Sequence, residues 1–448
     1  MPSVLNLKPE DLDSNEKRSR YAVSVVGCGQ TGILYANAFA EAGYKVTCTD
    51  ENQSLLKRLA KGKIFFSNPE IETQLKSHLN AGSVSTSIEL KKTVSESDII
   101  VLAVTVKINE RKNSDTSELE AICKQIGAAL KRGVLLIYGG IGGLGSTEAL
   151  IRETLENTSG LKVGQDFFIA YNPIHVSKTQ LVKSVANLEL IVAAADKTSL
   201  DTGVTILRTV SANVKQVNDV KTAELAVLFK VAQQDANTAL ANELAVFCEN
   251  AGMDYFNVVK LIDTVGSGFC PTVAEEENKN EAYLLVESAE NLNVKLRLAS
   301  LARQINEDMV KHAVNLTQDA LRGCGKTLRR ARVAVLGTAN QNTATEEFIK
   351  SVTTKGAKIT LYDPLSTKSE TMDSTPVLKR SLNETVEGTD CLVILTGQEQ
   401  FKRLNLKKLR AVMKNPAVLV DLIGLIEPQR VEAEGFIYRG LGRGIDKN

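Results

Sequence analysis

The sequence predicts an α/β fold with two parallel sheets joined by a helical region, and three observations lead to this expectation. Short apolar runs alternate with helical patterns through the first part of the chain. The stretch Lys221–Asn250 then has the pattern of a single long helix rich in Ala and Leu. From Arg332 onward the alternation of strand and helix resumes. Alternating strands and helices are typical of a mostly parallel sheet that is covered by helices on both faces.

The first alternating unit begins at residue 21. The Val-rich run Tyr21–Val26 predicts a strand, and a helical pattern follows it through Ala42. The run Lys45–Thr49 predicts a second strand, which ends at Asp50. Further strands are predicted for three apolar runs, Ile99–Val104, Val134–Tyr138 and Phe167–Ala170. Together these elements predict a doubly wound, Rossmann-type domain at residues 21–216.

The pattern repeats after the helical region. Helical patterns continue beyond the long helix to about Arg322, which predicts a central helical domain at residues 217–325. A second, C-terminal Rossmann-like α/β domain is predicted at residues 326–448, where the strand Lys358–Tyr362 ends at Asp363. Its other predicted strands are the apolar runs Val333–Leu336, Cys391–Thr396 and Ala417–Asp421.

Composition narrows the possible functions. Of the 448 residues, 43% are hydrophobic and 24% are charged, and the formal net charge is only +1. A chain without a basic excess is not expected to bind nucleic acid or a membrane surface. No apolar run approaches the ~20 residues that a membrane-spanning helix needs. Residues 1–20 are polar, lack the apolar segment of a signal peptide and are expected to form a mobile tail.

Cysteine and histidine usage also narrows the possible kinds of site. The seven cysteines include no C-x-x-C pair, so neither a disulfide framework nor a zinc site is expected. With three histidines in the whole chain, little material is present for metal or imidazole chemistry. No metal is therefore predicted, and a cytoplasmic location is the default expectation.

The strongest motif follows the first predicted strand. It is a G-x-G-x-x-G turn that consists of Gly27, Cys28, Gly29, Gln30, Thr31 and Gly32. In such a turn the first glycine permits a tight bend, the second lets the backbone approach a pyrophosphate, and the third lets the helix pack close to the strand. The N–H groups at the start of the following helix are suited to bind phosphate. A glycine-rich structural turn without a ligand is the alternative.

An acidic residue at the end of the second strand supports the dinucleotide interpretation. Asp50 stands where a carboxylate accepts hydrogen bonds from both ribose hydroxyls of the cofactor. The same carboxylate repels a 2′-phosphate, so the motif predicts NAD in preference to NADP.

Several longer segments resemble the nucleotide-sugar dehydrogenase family, which includes the UDP-glucose, UDP-N-acetylmannosamine and GDP-mannose dehydrogenases. The resemblance covers nearly the whole chain after residue 20, and these segments carry it: Phe65–Ile71, Asp98–Val104, Asp235–Leu244, Ala302–Met309, Tyr362–Pro364 and Gly440–Arg443. It implies three domains, a dimer formed through the central helix, NAD in the first domain and a nucleoside diphosphate in the third. Val104 and Thr105 lie where the family has its P-T-P turn and are further candidate cofactor-binding residues.

The family oxidises a sugar alcohol twice, with a cysteine nucleophile, an oxyanion-stabilising lysine and asparagine, and a threonine and glutamate for proton transfer. In this sequence the lysine position falls on Val227 and the asparagine position on Val231. The threonine position falls near Gly140, and the glutamate position is Ile174. None of these side chains can transfer a proton or donate a hydrogen bond to an oxyanion.

Substitutes for the missing groups can be named. Cys270 lies in a segment similar to the family's cysteine loop, although anchoring the alignment on Tyr283 places Glu277 at that position. Lys230 is one helical turn from Val227 and could supply a cation, because residues i and i+3 share a face. A loop cysteine and a solvated lysine are the alternatives. His175 is the histidine nearest to the inferred site, and a structural or exposed role is its alternative.

The third domain also departs from the family. The two arginines that the family uses in D-x-R and V-D-x-R-N stretches are absent from Gly337–Asn342 and Val420–Gly424. Two hypotheses follow. The chain is an NAD-dependent nucleotide-sugar oxidoreductase with altered chemistry or substrate, or it is a catalytically degenerate relative that acts as a partner or regulator.

Overall fold

The computed structural model describes residues 4, 7–62, 69–174, 185, 188–262, 270–273, 281–337, 343–364 and 377–444. The strands, in chain order, are β1 Ala22–Val26, β2 Lys45–Thr49, β3 Val84–Ser87, β4 Ile99–Leu102, β5 Lys107–Ile108, β6 Ser114–Asp115, β7 Leu135–Tyr138, β8 Phe168–Tyr171, β9 Leu190–Ala193, β10 Val214–Val217, β11 Arg332–Leu336, β12 Lys358–Tyr362, β13 Val377–Leu378, β14 Cys391–Ile394, β15 Val418–Asp421 and β16 Ile437–Gly440.

The helices, in chain order, are α1 Asn15–Arg18, α2 Gln30–Glu41, α3 Gln53–Ala60, α4 Pro69–Ala81, α5 Leu90–Glu96, α6 Ser117–Gly127, α7 Glu153–Ser159, α8 Lys197–Leu207, α9 Val220–Ala251, α10 Tyr255–Leu261, α11 Glu281–Glu290, α12 Arg297–Arg322, α13 Thr343–Thr354, α14 Leu382–Val386, α15 Glu399–Lys402, α16 Leu406–Val412 and α17 Pro428–Ala433. A short 3-10 helix covers Pro9–Leu12, and a π-helical stretch covers Ser146–Arg152. None of the helices in the described ranges is long and apolar enough to cross a membrane.

The chain divides into two compact units. Unit 1 comprises residues 1–231 and 280–295, and unit 2 comprises residues 232–279 and 296–448. Helix α9 therefore contributes its first part to unit 1 and the remainder to unit 2, and α11 belongs to unit 1. The domain limits that the sequence predicts, 21–216, 217–325 and 326–448, stay predictions.

Unit 1 is built around a sheet with the strand order β10-β9-β8-β7-β4-β1-β2-β3 among the described residues. Its strands pair in parallel except at β8 and β9, where Tyr171 faces Ala193 in an antiparallel pair. Every residue of β4, β7 and β8 is buried, because helices cover both faces of a parallel sheet. The order reverses between β1 and β4, and ligands bind at such a switch point in open α/β sheets. The predicted Rossmann-type fold is confirmed.

Unit 2 contains a second parallel sheet, with the order β13-β12-β11-β14-β15-β16 in the described part of the chain. Its strands β14 and β15 are buried along their whole length. Apolar side chains pack on both faces of the sheet and form two separate core clusters. The predicted C-terminal Rossmann-like domain is therefore also confirmed.

Part of the predicted mobile tail is packed on unit 1. Leu12 is buried, and the Arg18 guanidinium donates hydrogen bonds to the carbonyl oxygens of Leu12 and Ala42 at 2.6 and 2.5 Å. Val4 is also buried, and its N–H donates to the Gly133 carbonyl at 3.1 Å. The prediction of a free tail is wrong for these residues, because short helical turns can be anchored by a few contacts that composition does not reveal.

A buried polar network stabilises the helical part of unit 2. Arg303 on α12 is 1% exposed and forms an ion pair with Asp235 on α9. Asn306 donates to the carboxylate of Asp235 at 2.9 Å, and Asn242 donates to the side-chain oxygen of Asn306 at 2.9 Å. Asn242 also accepts a hydrogen bond from the N–H of Thr272 at 2.8 Å. Helix α9, helix α12 and the segment 270–273 are thus linked by hydrogen bonds.

Replacing Asp235 with alanine is expected to destabilise unit 2 by about 3–5 kcal/mol, because the buried Arg303 charge would lose its close carboxylate and keep only that of Glu307 at 4.0 Å. Urea unfolding followed by circular dichroism measures the change. The control is Asp319→Ala, since the Asp319–Arg322 ion pair is exposed and such pairs contribute less than about 1 kcal/mol. Equal effects of the two substitutions would contradict the expectation.

Candidate functional site

The turn between β1 and α2 is shaped by two glycines that no other residue could replace without strain. Gly27 has a φ of +92°, and a Cβ atom there would lie 2.8 Å from the Ala103 carbonyl oxygen. At Gly32 a Cβ atom would lie 1.8 Å from the Gly27 carbonyl oxygen. Helix α2 can therefore approach the end of β1 only because Gly32 has no side chain.

The middle of the same turn is open. Among the residues that the structure describes, none has an atom within 4 Å of a Cβ atom built at Gly29, which precedes the first residue of α2. Gln30 and Thr31 begin the helix and are half-buried, and no side chain of a described residue caps the helix N-terminus. An uncapped helix N-terminus beside open space can bind a pyrophosphate through its free N–H groups. The side chain of Cys28, between Gly27 and Gly29, is buried. Its hydrogen bond with Cys48 raises the pKa of the Cys28 thiol, and burial raises this pKa further.

Asp50 is held in place by the backbone on both sides. One of its carboxylate oxygens accepts a hydrogen bond from the N–H of Cys28 at 2.7 Å, and the other accepts from the N–H of Asn52 at 2.8 Å. The first bond ties the end of β2 directly to the glycine turn. Each carboxylate oxygen has a second lone pair, so both can still accept hydrogen bonds from ribose hydroxyls.

A pocket opens beside Asp50. It is lined by Val26, Gly27, Thr49, Asp50, Glu51, Ile88, Leu90, Val104, Glu118, Ile122 and Gln125. Three of these described lining residues are acidic, and none of them is basic. The site is therefore unsuited to a 2′-phosphate.

Of the two further residues predicted to bind the cofactor, Val104 lines this pocket. Thr105 is not among the residues described as lining it, and its hydroxyl accepts a hydrogen bond from the N–H of Ile141 at 3.2 Å.

The positions at which the family's catalytic groups were sought are apolar and enclosed. Val227 and Val231 on α9 are 5% and 6% exposed, and Ile174 is 4% exposed. At Gly140 a Cβ atom would lie 2.0 Å from the Val104 carbonyl oxygen, so a threonine could not occupy this position without a backbone shift. These positions contribute packing to the protein and offer no polar side chain.

Cys270 and Lys230, the two proposed substitutes, are both exposed and belong to different units. Although the Cys270 side chain is exposed, neighbouring atoms desolvate its thiol and raise the pKa of Cys270, which lowers the fraction of reactive thiolate at neutral pH. His175 and Glu277 lie outside the described residues. No group of three or more His, Cys, Asp or Glu side chains suited to a metal ion occurs within the described ranges.

Buried carboxylates in unit 1 were not anticipated from the sequence. Glu224 on α9 accepts hydrogen bonds from the N–H of Gly145 at 2.6 Å and from the N–H and hydroxyl of Thr147 at 2.9 and 2.7 Å. It thereby holds the glycine-rich loop after β7, and burial raises the pKa of its carboxyl group. Burial also raises the pKa of Glu281 to about 8. An acidic residue within the otherwise apolar run 223–229 was the available signal for Glu224.

In unit 2 the end of β15 has a structural role. Asp421 is buried and accepts hydrogen bonds from the N–H groups of Ile423 at 3.2 Å and Ile426 at 2.8 Å. Its carboxylate therefore shapes the following turn. Asp363, at the end of β12, accepts a hydrogen bond from the side chain of Gln398 at 3.2 Å. Gly337 follows β11 with a φ of +87°, and residues 338–342 lie outside the described ranges.

Comparison with known proteins gives the class that this fold and this site define. Three models of the UDP-glucose/GDP-mannose dehydrogenase family match the chain: the NAD binding domain at residues 21–211, the central domain at 221–308 and the UDP binding domain at 339–428. The chain belongs to this family, and its N-terminal domain is the family's NAD-binding domain. NAD is therefore its cofactor, and the open glycine turn with Asp50 beside it fits this dinucleotide.

The chain is similar over almost its whole length to individual members. It is 27% identical over 437 residues to the UDP-N-acetyl-D-mannosamine dehydrogenase of Pyrococcus horikoshii. The match covers 94% of this chain and 99% of that protein. The solved structure of a UDP-D-ManNAc dehydrogenase from Pyrococcus horikoshii matches with a TM-score of 0.78 at 26% identity, covering 94% of this chain and 99% of that one. An NDP-N-acetyl-D-galactosaminuronic acid dehydrogenase from Methanosarcina mazei Go1 matches with a TM-score of 0.70 at 25% identity, covering 96% and 98%.

NAD(H) is expected to bind at least about tenfold more tightly than NADP(H), a difference of ~1.4 kcal/mol, because Asp50 repels a 2′-phosphate. Isothermal titration calorimetry with both cofactors measures the ratio. The Asp50→Ser variant should lower this affinity ratio. Asp201→Ser, at an exposed position of α8, should leave the ratio unchanged. Tighter binding of NADP(H) by the unaltered protein would refute the assignment.

Proposed function

We propose that this protein is an NAD-dependent oxidoreductase that acts on a nucleotide sugar with catalytic groups different from those of its relatives. The observation that carries the proposal is the NAD site at the switch point of the first sheet, in a chain that also contains the family's UDP binding domain. Bound NAD would supply the hydride acceptor. UDP-N-acetylmannosamine is the first substrate to test, because relatives that cover nearly the whole chain bear that name.

Within this proposal the NAD-binding residues are Gly27, Cys28, Gly29, Gln30, Thr31, Gly32, Asp50, Val104 and Thr105. The turn would hold the pyrophosphate through backbone N–H groups, and Asp50 would orient the ribose. Cys270 and Lys230 are the candidate catalytic residues. The exposure of both side chains supports this role, because a nucleophile and a cation must be accessible to substrate.

A second candidate function is a non-catalytic member that binds NAD and a nucleotide sugar and acts as a partner or regulator of an active enzyme. The buried valines Val227 and Val231 and the lack of space at Gly140 favour it. A panel of UDP- and GDP-sugars, monitored for NADH formation at 340 nm, separates the two candidates. NADH formation with any sugar supports the oxidoreductase, whereas binding of cofactor and sugar without NADH supports the second candidate.

UDP-glucose is not expected to be converted to the corresponding uronate at an ordinary enzymatic rate. The loss of one oxyanion donor costs about 10²–10³ in turnover, and the loss of general acid–base groups costs more. Turnover should therefore stay below about 0.1 s⁻¹, against a typical ~10 s⁻¹. Purified protein that reduces two NAD per UDP-glucose at rates near one per second would refute this expectation. If Cys270→Ala left such an activity unchanged, the assignment of Cys270 would fail separately.

We also propose that the protein forms a dimer through α9. Leu240, Leu244 and Phe247 are 47%, 38% and 67% exposed, and their spacing places them on one face of the helix. A contiguous exposed apolar stripe is typical of a protein–protein interface.

The cytoplasm is the proposed location of the protein. The seven cysteines support this location, because all of them are free thiols.

The Phe247→Asp substitution is expected to shift the protein from dimer to monomer at micromolar concentration, because it places a charge in the apolar stripe. Light scattering coupled to size-exclusion chromatography gives the mass. Asn315→Asp, which adds the same charge at an exposed position of α12, should leave the mass unchanged. A strictly monomeric mass for the unaltered protein would contradict the dimer.

A further inference from the structure

Helix α6 presents one face to the pocket beside Asp50. Glu118, Ile122 and Gln125 all line this pocket, and their spacing of four and three residues places them on the same side of the helix. Two polar residues, Glu118 and Gln125, therefore lie on the face of α6 that lines the pocket.

The rest of the pocket suits a flat aromatic ring. Ile88, Leu90 and Val104 line it together with Ile122, and Asp50 closes the end next to the glycine turn. Ile88 is 67% exposed, so a ring placed against it would remove apolar surface from water. A ribose on Asp50 would bring its attached base against these side chains.

The two polar groups of α6 differ in what they already contact. The Glu118 carboxylate forms an ion pair with Lys107, with a distance of 2.5 Å between oxygen and nitrogen. The side chain of Gln125 is half-buried, and it makes no hydrogen bond to any residue that the structure describes. An amide group beside an apolar pocket with both its donor and its acceptor unused is suited to a ligand that offers the complementary pair.

Adenine offers such a pair on one edge, where the amino group N6 donates and the ring nitrogen N7 accepts. A glutamine amide matches this edge with two hydrogen bonds. We propose that Gln125 is the residue that recognises the adenine of NAD, with its amide oxygen accepting from N6 and its amide nitrogen donating to N7. This inference rests on the proposed placement of the adenosine end of NAD beside Asp50.

The probe that tests the inference is nicotinamide hypoxanthine dinucleotide, which carries an oxygen in place of the adenine amino group. Its corresponding edge presents two acceptors, so Gln125 can keep only one of the two hydrogen bonds. The loss of one hydrogen bond should weaken binding about three- to tenfold relative to NAD. In Gln125→Met, which keeps the length and the apolar stem of the side chain, this ratio should fall to near one. Isothermal titration calorimetry with the full chain gives all four dissociation constants.

The control is Gln165→Met, at an exposed glutamine that does not line the pocket, and it should keep the ratio of the unaltered protein. An unaltered protein that binds both dinucleotides equally, or a Gln125→Met variant that retains the full ratio, would overturn the assignment of Gln125. The Asp50→Ser variant tests the placement itself. If this substitution leaves NAD affinity unchanged, the placement of the adenosine end fails, whatever the result at Gln125.

Discussion

The close approach of α2 to the end of β1 is the constraint on which the NAD site depends. With only hydrogen at Gly32, the helix packs onto the Gly27 carbonyl, and its N-terminus lies at the edge of the sheet. The turn then directs the N–H of Cys28 toward Asp50, which joins the glycine turn to the carboxylate at the end of β2. The pocket lined by α6 begins at this carboxylate. The glycine turn is therefore positioned by backbone contacts at Gly27 and Gly32 that tolerate no added side chain.

The region around the start of α9 is held by hydrogen bonds and is lined by buried apolar side chains. Glu224 binds the loop after β7 through three hydrogen bonds, so the frame of this part of unit 1 is firmly held. One and two turns further along the helix, Val227 and Val231 are buried apolar residues. A buried valine stabilises packing but cannot stabilise a developing negative charge. The chain therefore keeps the architecture of a nucleotide-sugar dehydrogenase, with apolar side chains at Val227 and Val231.

Much of the fold could be predicted because its central elements have strong local patterns. β1, β2 and the long helix were predicted to within about one residue, since buried strands and Ala-rich helices have distinctive compositions. The edge strands β3 and β10 were missed, because their residues are largely polar and partly exposed. The inclusion of α11 in unit 1 has no signal in the sequence, since the chain leaves this unit and returns to it over a long interval.

The sequence by itself determined the class of protein and its cofactor. The glycine spacing and the acid at the end of β2 are local features, and their physical roles follow from residue type and distance along the chain. Tertiary structure decided which side chains share the site. Gln125 and Ile88 are far apart in sequence, and only the packing of α6 beside the sheet brings both to one pocket. Burial likewise depends on contacts from distant segments, so the raised pKa of Glu281 is a property of the folded chain alone.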